Sequence, residues 1–160
     1  MNVYDVVGSD GVQHFYLSPL TPEHARAIGA LPREAIMGEL LVTERPAVDA
    51  KIDPAQFRPN ASFIQFLNGV FAQHANAAPG FAEAAAASGS GFIQVVDART
   101  ATPKAQVPAE DIIGRIEIAN GAMVRFHANE SYRLLTERGF MRLHPWMHAK
   151  LIEALGSLAR

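Results

Sequence analysis

The sequence predicts an α+β fold with a mostly antiparallel sheet. Three observations carry that expectation. Two hairpin signatures, Asp10-Gly11 and Asn120-Gly121, lie between apolar residues of strand-like spacing. Helical periodicity is clearest over residues 60–76 and 145–158. Strands and helices also come in runs, without the alternation that a doubly wound parallel sheet requires. Two hairpins and one or two further strands should therefore form the sheet, with the two long helices on one face. A length of 160 residues gives room for one domain, and residues 1–160 are read as one.

The elements follow in order. Centring a turn on Asp10-Gly11 pairs Val6 with Phe15 and Tyr4 with Leu17 on one apolar face. Thr21-Pro22 starts a helix, with Thr21 as N-cap, and Gly29 and Pro32 close it. Residues 38–44 read as a third strand or as a continuing helix. Three prolines make residues 46–59 an irregular connection, with too little chain ahead of it for a separate fold. Asn60 caps the helix whose apolar stripe is Phe63, Phe66, Leu67, Val70, Phe71 and His74. A short alanine-rich helix, 81–88, precedes a strand at 92–97. Residues 98–110 are irregular, and a loop of that length is functional or disordered. The second hairpin spans 111–127. A short helix capped by Asn129 or Ser131 should end at Gly139, and His144-Pro145 opens the last helix. There is no internal repeat of fixed period.

Composition excludes several functions. The net charge of −2 gives no field for nucleic acid, so none is expected as a partner. No apolar run is long enough to span a membrane, and the first residues lack the basic and apolar regions of a signal peptide. A cytoplasmic location is the expectation. Arginine outnumbers lysine 11 to 3, a bias associated with a GC-rich bacterial genome. With no cysteine, thiol chemistry and Cys-ligated zinc are excluded. His144 and His148 have helical ligand spacing, but no glutamate fills the base position and no third ligand is evident, so no metal is expected.

Four residues are candidate ligand-binding groups. With Asn120-Gly121 as a plain two-residue turn, Ile116 faces Arg125 and Gly114 faces His127. That places two basic side chains on an isoleucine-rich face, either at a strand end that emerges from the core and lets both reach water, or on a pocket floor where the glycine leaves room for an anion. Asp97 and Arg99, at the end of the preceding strand, would line the same pocket, with Thr100 beside them and residues 104–106 at the loop tip. A surface Asp–Arg pair is the plainer alternative for Asp97 and Arg99. Trp146 is either an exposed interface anchor or half-buried packing. No catalytic or cofactor motif stands out. The leading expectation is a small protein that binds a protein partner, without catalysis and without a cofactor. The alternative is a small-molecule (anion)-binding domain or hydrolase-like enzyme using Asp97, Arg99, Arg125 and His127, with His127 as general base. Pairing of a hairpin edge with a second copy leaves a homodimer open.

Overall fold

The computed structural model describes residues 1–100 and 106–158. It has an α+β fold with antiparallel sheets, as the sequence predicts. The chain divides into two compact units, Met1–Leu67 with residues 152–158, and Asn68–Leu151.

In the first unit, β1 (Asn2–Val7), β2 (Gln13–Ser18), β3 (Gly38–Leu40) and β4 (Phe57–Pro59) form a sheet in that order. Phe15, Leu17, Leu40 and Phe57 point to one side and are buried. The first hairpin is shifted by one residue from the expected register. Asp5 lies opposite Phe15 and Val6 opposite His14, because the loop is not a two-residue turn. Gly8 N–H reaches the Val12 carbonyl at 2.8 Å, and Asp10 Oδ1 accepts from Val12 N–H at 2.9 Å, so the loop takes more chain. Val3 and Asp5, not Tyr4 and Val6, therefore share a face with Phe15 and Leu17. Asp5 reaches Arg45 at 2.8 Å, and the Tyr4 hydroxyl donates to the Leu20 carbonyl. Helix α1 (Pro22–Ile28) has the expected Thr21 cap and a left-handed Gly29. Of residues 38–44, 38–40 form the short strand β3 and the rest are irregular.

In the second unit, β5 (Gly91–Val96), β6 (Ile112–Ala119) and β7 (Ala122–Ala128) form a three-stranded sheet. Asn120 and Gly121 both have positive φ, as a type I′ turn requires. Helices α2 (Ala61–His74) and α3 (Phe81–Ser88) precede the sheet, and α2 runs through the boundary between the units. The Phe71 ring, from its second half, stacks on Phe126 at 5.5 Å. The helix expected between Asn129 and Gly139 is absent. Its place is taken by a turn and a small hairpin, β8 (Leu135–Thr136) with β9 (Gly139–Phe140). Helix α4 (Pro145–Gly156) is the last described element, with Met147, Leu151 and Leu155 buried and Leu158, beyond its end, exposed.

The two units share one motif. Pro32-Arg33-Glu34-Ala35-Ile36-Met37-Gly38 corresponds to Pro108-Ala109-Glu110-Asp111-Ile112-Ile113-Gly114. Each begins with a 3-10 turn, Arg33–Ala35 or Ala109–Asp111, that feeds the central strand. In each, an asparagine side chain clamps the turn. Asn60 Nδ2 donates to the carbonyls of Arg33 and Ile36 at 2.8 and 2.7 Å. Asn129 Nδ2 donates to those of Ala109 and Ile112, both at 2.8 Å. Each asparagine Oδ1 then accepts a backbone N–H two residues on, from Ser62 or Ser131. A glycine lies under a phenylalanine in each. A Cβ on Gly38 would sit 2.5 Å from the Phe57 ring, and one on Gly114 2.5 Å from the Phe126 ring. Strands β2, β3 and β4 thus match β5, β6 and β7.

Gly38→Ala and Gly114→Ala are each expected to cost about 2–3 kcal/mol, since backbone carbonyls as well as rings are in the way. Gly69→Ala, in α2 with nothing near its Cβ, should instead stabilise by about 0.5–1 kcal/mol. Urea unfolding of the three variants checks both signs.

Candidate binding cleft

The four residues singled out from the sequence do not meet. Asp97 and Arg99 belong to a buried ionic network, and Arg125 and His127 lie on the outer face of the second sheet. The reason for the second placement is a bulge. The β6–β7 register shifts between Glu117 and Ile118, so Glu117 lies opposite Arg125 and Ile116 opposite Phe126. One extra residue on β7 at Val124 turns Phe126 inward and Arg125 and His127 outward. The expected pairing of Ile116 with Arg125 and Gly114 with His127 is therefore corrected, and Gly114 makes room for the Phe126 ring, not for a ligand. On the outer face His127 Nε2 meets Glu117 at 2.8 Å, and Arg115 lies over the Phe92 ring at 4.5 Å. His127 and Arg115 border a shallow hollow of 380 Å³ that includes neither Asp97, Arg99 nor Arg125.

The buried network is built on two carboxylates, Asp97 and Asp111, each at most 1% exposed. It is not the surface pair that Asp97 and Arg99 alone suggest. Arg99 Nε donates to Asp111 Oδ1 at 2.9 Å. Its other nitrogens donate to the carbonyls of Leu134, Gly139, Glu110 and Arg133. The carbonyls of Arg133 and Leu134 are ones that a helix over 131–139 would have paired internally, and here the Arg99 guanidinium satisfies them instead. Arg138 and Thr100 also donate to Asp111, and Arg138 reaches Glu110. Asp97 accepts from the Tyr132 hydroxyl at 2.7 Å and from the N–H of Arg99 and Arg142. Among the described residues no buried side-chain polar atom lacks a partner. Burial alone pushes the Asp111 carboxyl up, but the hydrogen bonds from Arg138, Thr100 and Arg99 outweigh it and hold it at about 2. Burial pushes the Tyr132 phenol up, with the Asp97 charge beside it, so it stays a donor. Residues 104 and 105 of the expected loop tip lie outside the described residues.

The sequence reading missed a mostly apolar concavity of the second unit, a cleft of 340 Å³. Residues 93–96 of β5 form one side. Phe71 and Ala75, with Phe81 and Ala84 of α3, form another. Leu143, His144 and Trp146, where the chain enters α4, close the third. No Asp, Glu, Lys or Arg lines it, and Gln94, His144 and Trp146 are the polar residues that do, Gln94 also bordering the outer hollow. His144 caps α4, its Nδ1 accepting from Trp146 N–H. Trp146 is half-buried with Lys150 Nζ 5.7 Å from its ring, so it is neither a free anchor nor wholly packed. Among the described residues no three His, Asp or Glu side chains gather as a metal would need. The sequence does hold a signal for the cleft, namely an uncharged apolar strand, GFIQVV, after an alanine-rich helix. No known family model, curated protein or solved structure matches the chain.

Two outcomes follow from these placements. Phe126→Ala should cost about 2–3 kcal/mol, while Arg125→Ala stays within about 0.5 kcal/mol of wild type in chemical unfolding. The opposite order would restore the plain two-residue register. Asp111→Asn should cost about 3 kcal/mol at pH 7, because it leaves buried Arg99 short of its counter-charge. The folded-state pKa of Asp111 lies below its unfolded value of about 3.9. Its contribution is therefore complete above about pH 4 and is lost as pH falls through about 2. The stability gap between wild type and variant should close over that window in acid titrations.

Proposed function

We propose that this chain is a binding module whose recognition site is the cleft beside β5, and that it acts by holding a partner without catalysing a reaction. The observation that supports this best is the lining itself. A concavity of 340 Å³ falls within the range of ligand pockets, and its walls are apolar with a few polar groups placed among them. The one titratable side chain along them is His144, whose Nδ1 is engaged by the Trp146 N–H, and no carboxylate lines the cleft beside it. With this reading go a cytoplasmic location, a bacterial origin and a protein partner. No helix among the described residues is long and apolar enough to cross a membrane.

The alternative of an anion site draws on the hollow shared by Arg115 and His127 on the outer face, with Arg115 and not Arg125 beside the histidine. It is the weaker of the two. Glu117 already holds His127, and its negative charge opposes an incoming anion. Asp97 and Arg99 are committed to backbone and to each other's network, which removes the constellation that a hydrolase-like reading required.

Trp146 is the chain's single tryptophan and stands on the cleft wall, so it reports on the site directly. Titration with the uncharged apolar dye Nile red should saturate at one dye per chain and change Trp146 emission. Ala84 is exposed on α3 and lines the cleft. Ala84→Phe should fill the space and lower dye affinity by about tenfold or more, with unfolding midpoint unchanged within about 0.5 kcal/mol. Dye binding that never saturates, or that ignores the substitution, overturns the proposal.

A further inference from the structure

We infer that the cleft takes an extended, uncharged peptide segment of a partner protein, which adds to β5 as an antiparallel strand. This rests on the binding-module reading and names its occupant.

The duplicated motif carries the inference. In the first unit β2 has strands on both sides, β3 on one and β1 on the other. In the second unit its counterpart β5 pairs with β6, and no described strand takes the place that β1 holds. The correspondence is residue by residue. Phe15 faces Leu40 and Leu17 faces Gly38 in one unit, and Ile93 faces Ile116 and Val95 faces Gly114 in the other. Phe15, Tyr16, Leu17 and Ser18, which pair with β1, thus correspond to residues 93–96. Those are the four β5 residues that line the cleft. The open space lies where the same scaffold accepts a strand in the first unit.

The backbone at this edge is already used by the chain just beyond β5. Asp97 donates its N–H inward, to the Asp111 carbonyl. Ala98 donates outward, to the Arg142 carbonyl at 2.8 Å. The β5–β6 register shifts between Val95 and Val96, but the extra residue, Ile113, lies on β6, so along β5 the direction alternates and the N–H groups of Gln94 and Val96 face the same way as that of Ala98. An incoming segment would continue the line that Arg142 begins.

Charge and edge protection identify the occupant further. The other sheet edges are blunted. Arg45 caps the Val3 carbonyl of β1, β4 is three residues long and ends in Pro59, and β7 carries Arg125 and a bulge. Strand β5 has six residues with no charge and no proline. An uncharged cleft disfavours a charged segment, since no counter-charge offsets its desolvation. Residues of the segment opposite Ile93 and Val95 face the cleft and should be apolar, and those opposite Gln94 and Val96 should be small and polar. A second copy does not fit the same role. Its β5 lies between the same flanking walls, so two such edges cannot close on one another.

The test uses the full chain and a pool of acetylated, amidated hexapeptides in which valine, leucine or phenylalanine alternates with serine or threonine. Binding is read by Trp146 emission and by hydrogen exchange of the β5 amides. The expected result is a saturable binder that slows exchange at Gln94 and Val96 by about tenfold or more and fails against Ala84→Phe. Methylating alternate backbone nitrogens of that peptide should weaken it by at least about tenfold, since two or more strand hydrogen bonds are lost. Equal binding of the methylated peptide overturns strand addition. So does a pool without binders while Nile red still saturates, which leaves the binding-module reading standing. If neither peptide nor dye binds, both readings fall. Slowed exchange at Val96 that grows with protein concentration alone would assign the edge to self-association and overturn the peptide partner.

Discussion

The rest of the structure depends on how the chain enters its two central strands. A 3-10 turn leaves carbonyl oxygens that no helix or ladder uses, and an unpaired buried carbonyl is costly. In both units one asparagine side chain bonds the free oxygen of Ile36 or Ile112, shares that of Arg33 or Ala109 with the N–H that closes the turn, and starts the next segment with its own Oδ1. The same asparagine donates its backbone N–H to the residue just before the glycine, Met37 or Ile113. Turn, central strand and return strand are thereby tied at one point. The glycine beyond lets a phenylalanine lie against the strand backbone, and that ring then sets the register of the return strand. A bulged β7 is the consequence in the second unit, where Phe126 must turn inward to meet Gly114.

The two copies differ in how the turn is held from below. Ala35 stands where Asp111 stands in the other unit, and both are fully buried. The motif therefore forms without a carboxylate, and the ionic network of Asp97, Arg99, Asp111 and Arg138 is an addition to it. Desolvating two carboxylates and a guanidinium makes such a network a poor source of net stability. What it does supply is position. Arg99 bonds the Leu134 oxygen just before β8 and the Gly139 oxygen of β9, and Asp97 accepts from Arg142. Those bonds locate residues 141–143, and Leu143 is part of the cleft wall.

Much of this was legible in the sequence, and the limits have physical causes. Several caps and one tight turn read well because each rests on one or two residues with a specific backbone demand, whereas the Asp10-Gly11 turn and the cap at Asn129 or Ser131 did not. Thr21, Gly29, Asn60 and the Asn120-Gly121 pair all behave as expected. Register read poorly in both hairpins, since a single loop or bulge residue exchanges the two faces. That exchange is what misplaced Arg125 and His127 on a buried face. The duplication escaped notice because its halves have no common spacing. An irregular excursion joins β3 to β4, whereas a two-residue turn joins β6 to β7. The helix expected before Gly139 failed for a tertiary reason, as the partner of its carbonyls is Arg99, far away in sequence.

The cleft was invisible for a different reason. Its walls come from segments that each look like ordinary core, and no residue in them has a chemistry that stands out. Apolar side chains reveal a site only when something that should cover them is absent. The first unit supplies the standard for that judgement within the same chain, since there β1 covers the edge of β2. An edge left open beside an apolar cleft is an aggregation hazard unless its walls are rigid and its access is narrow. The ionic network meets the first condition by fixing the segment that leads into Trp146. Such rigidity also lowers the ordering cost of binding, because the wall is in place before the partner arrives. A costly buried network and an unprotected strand thus account for one another, the first holding in place the wall along which the second can be used.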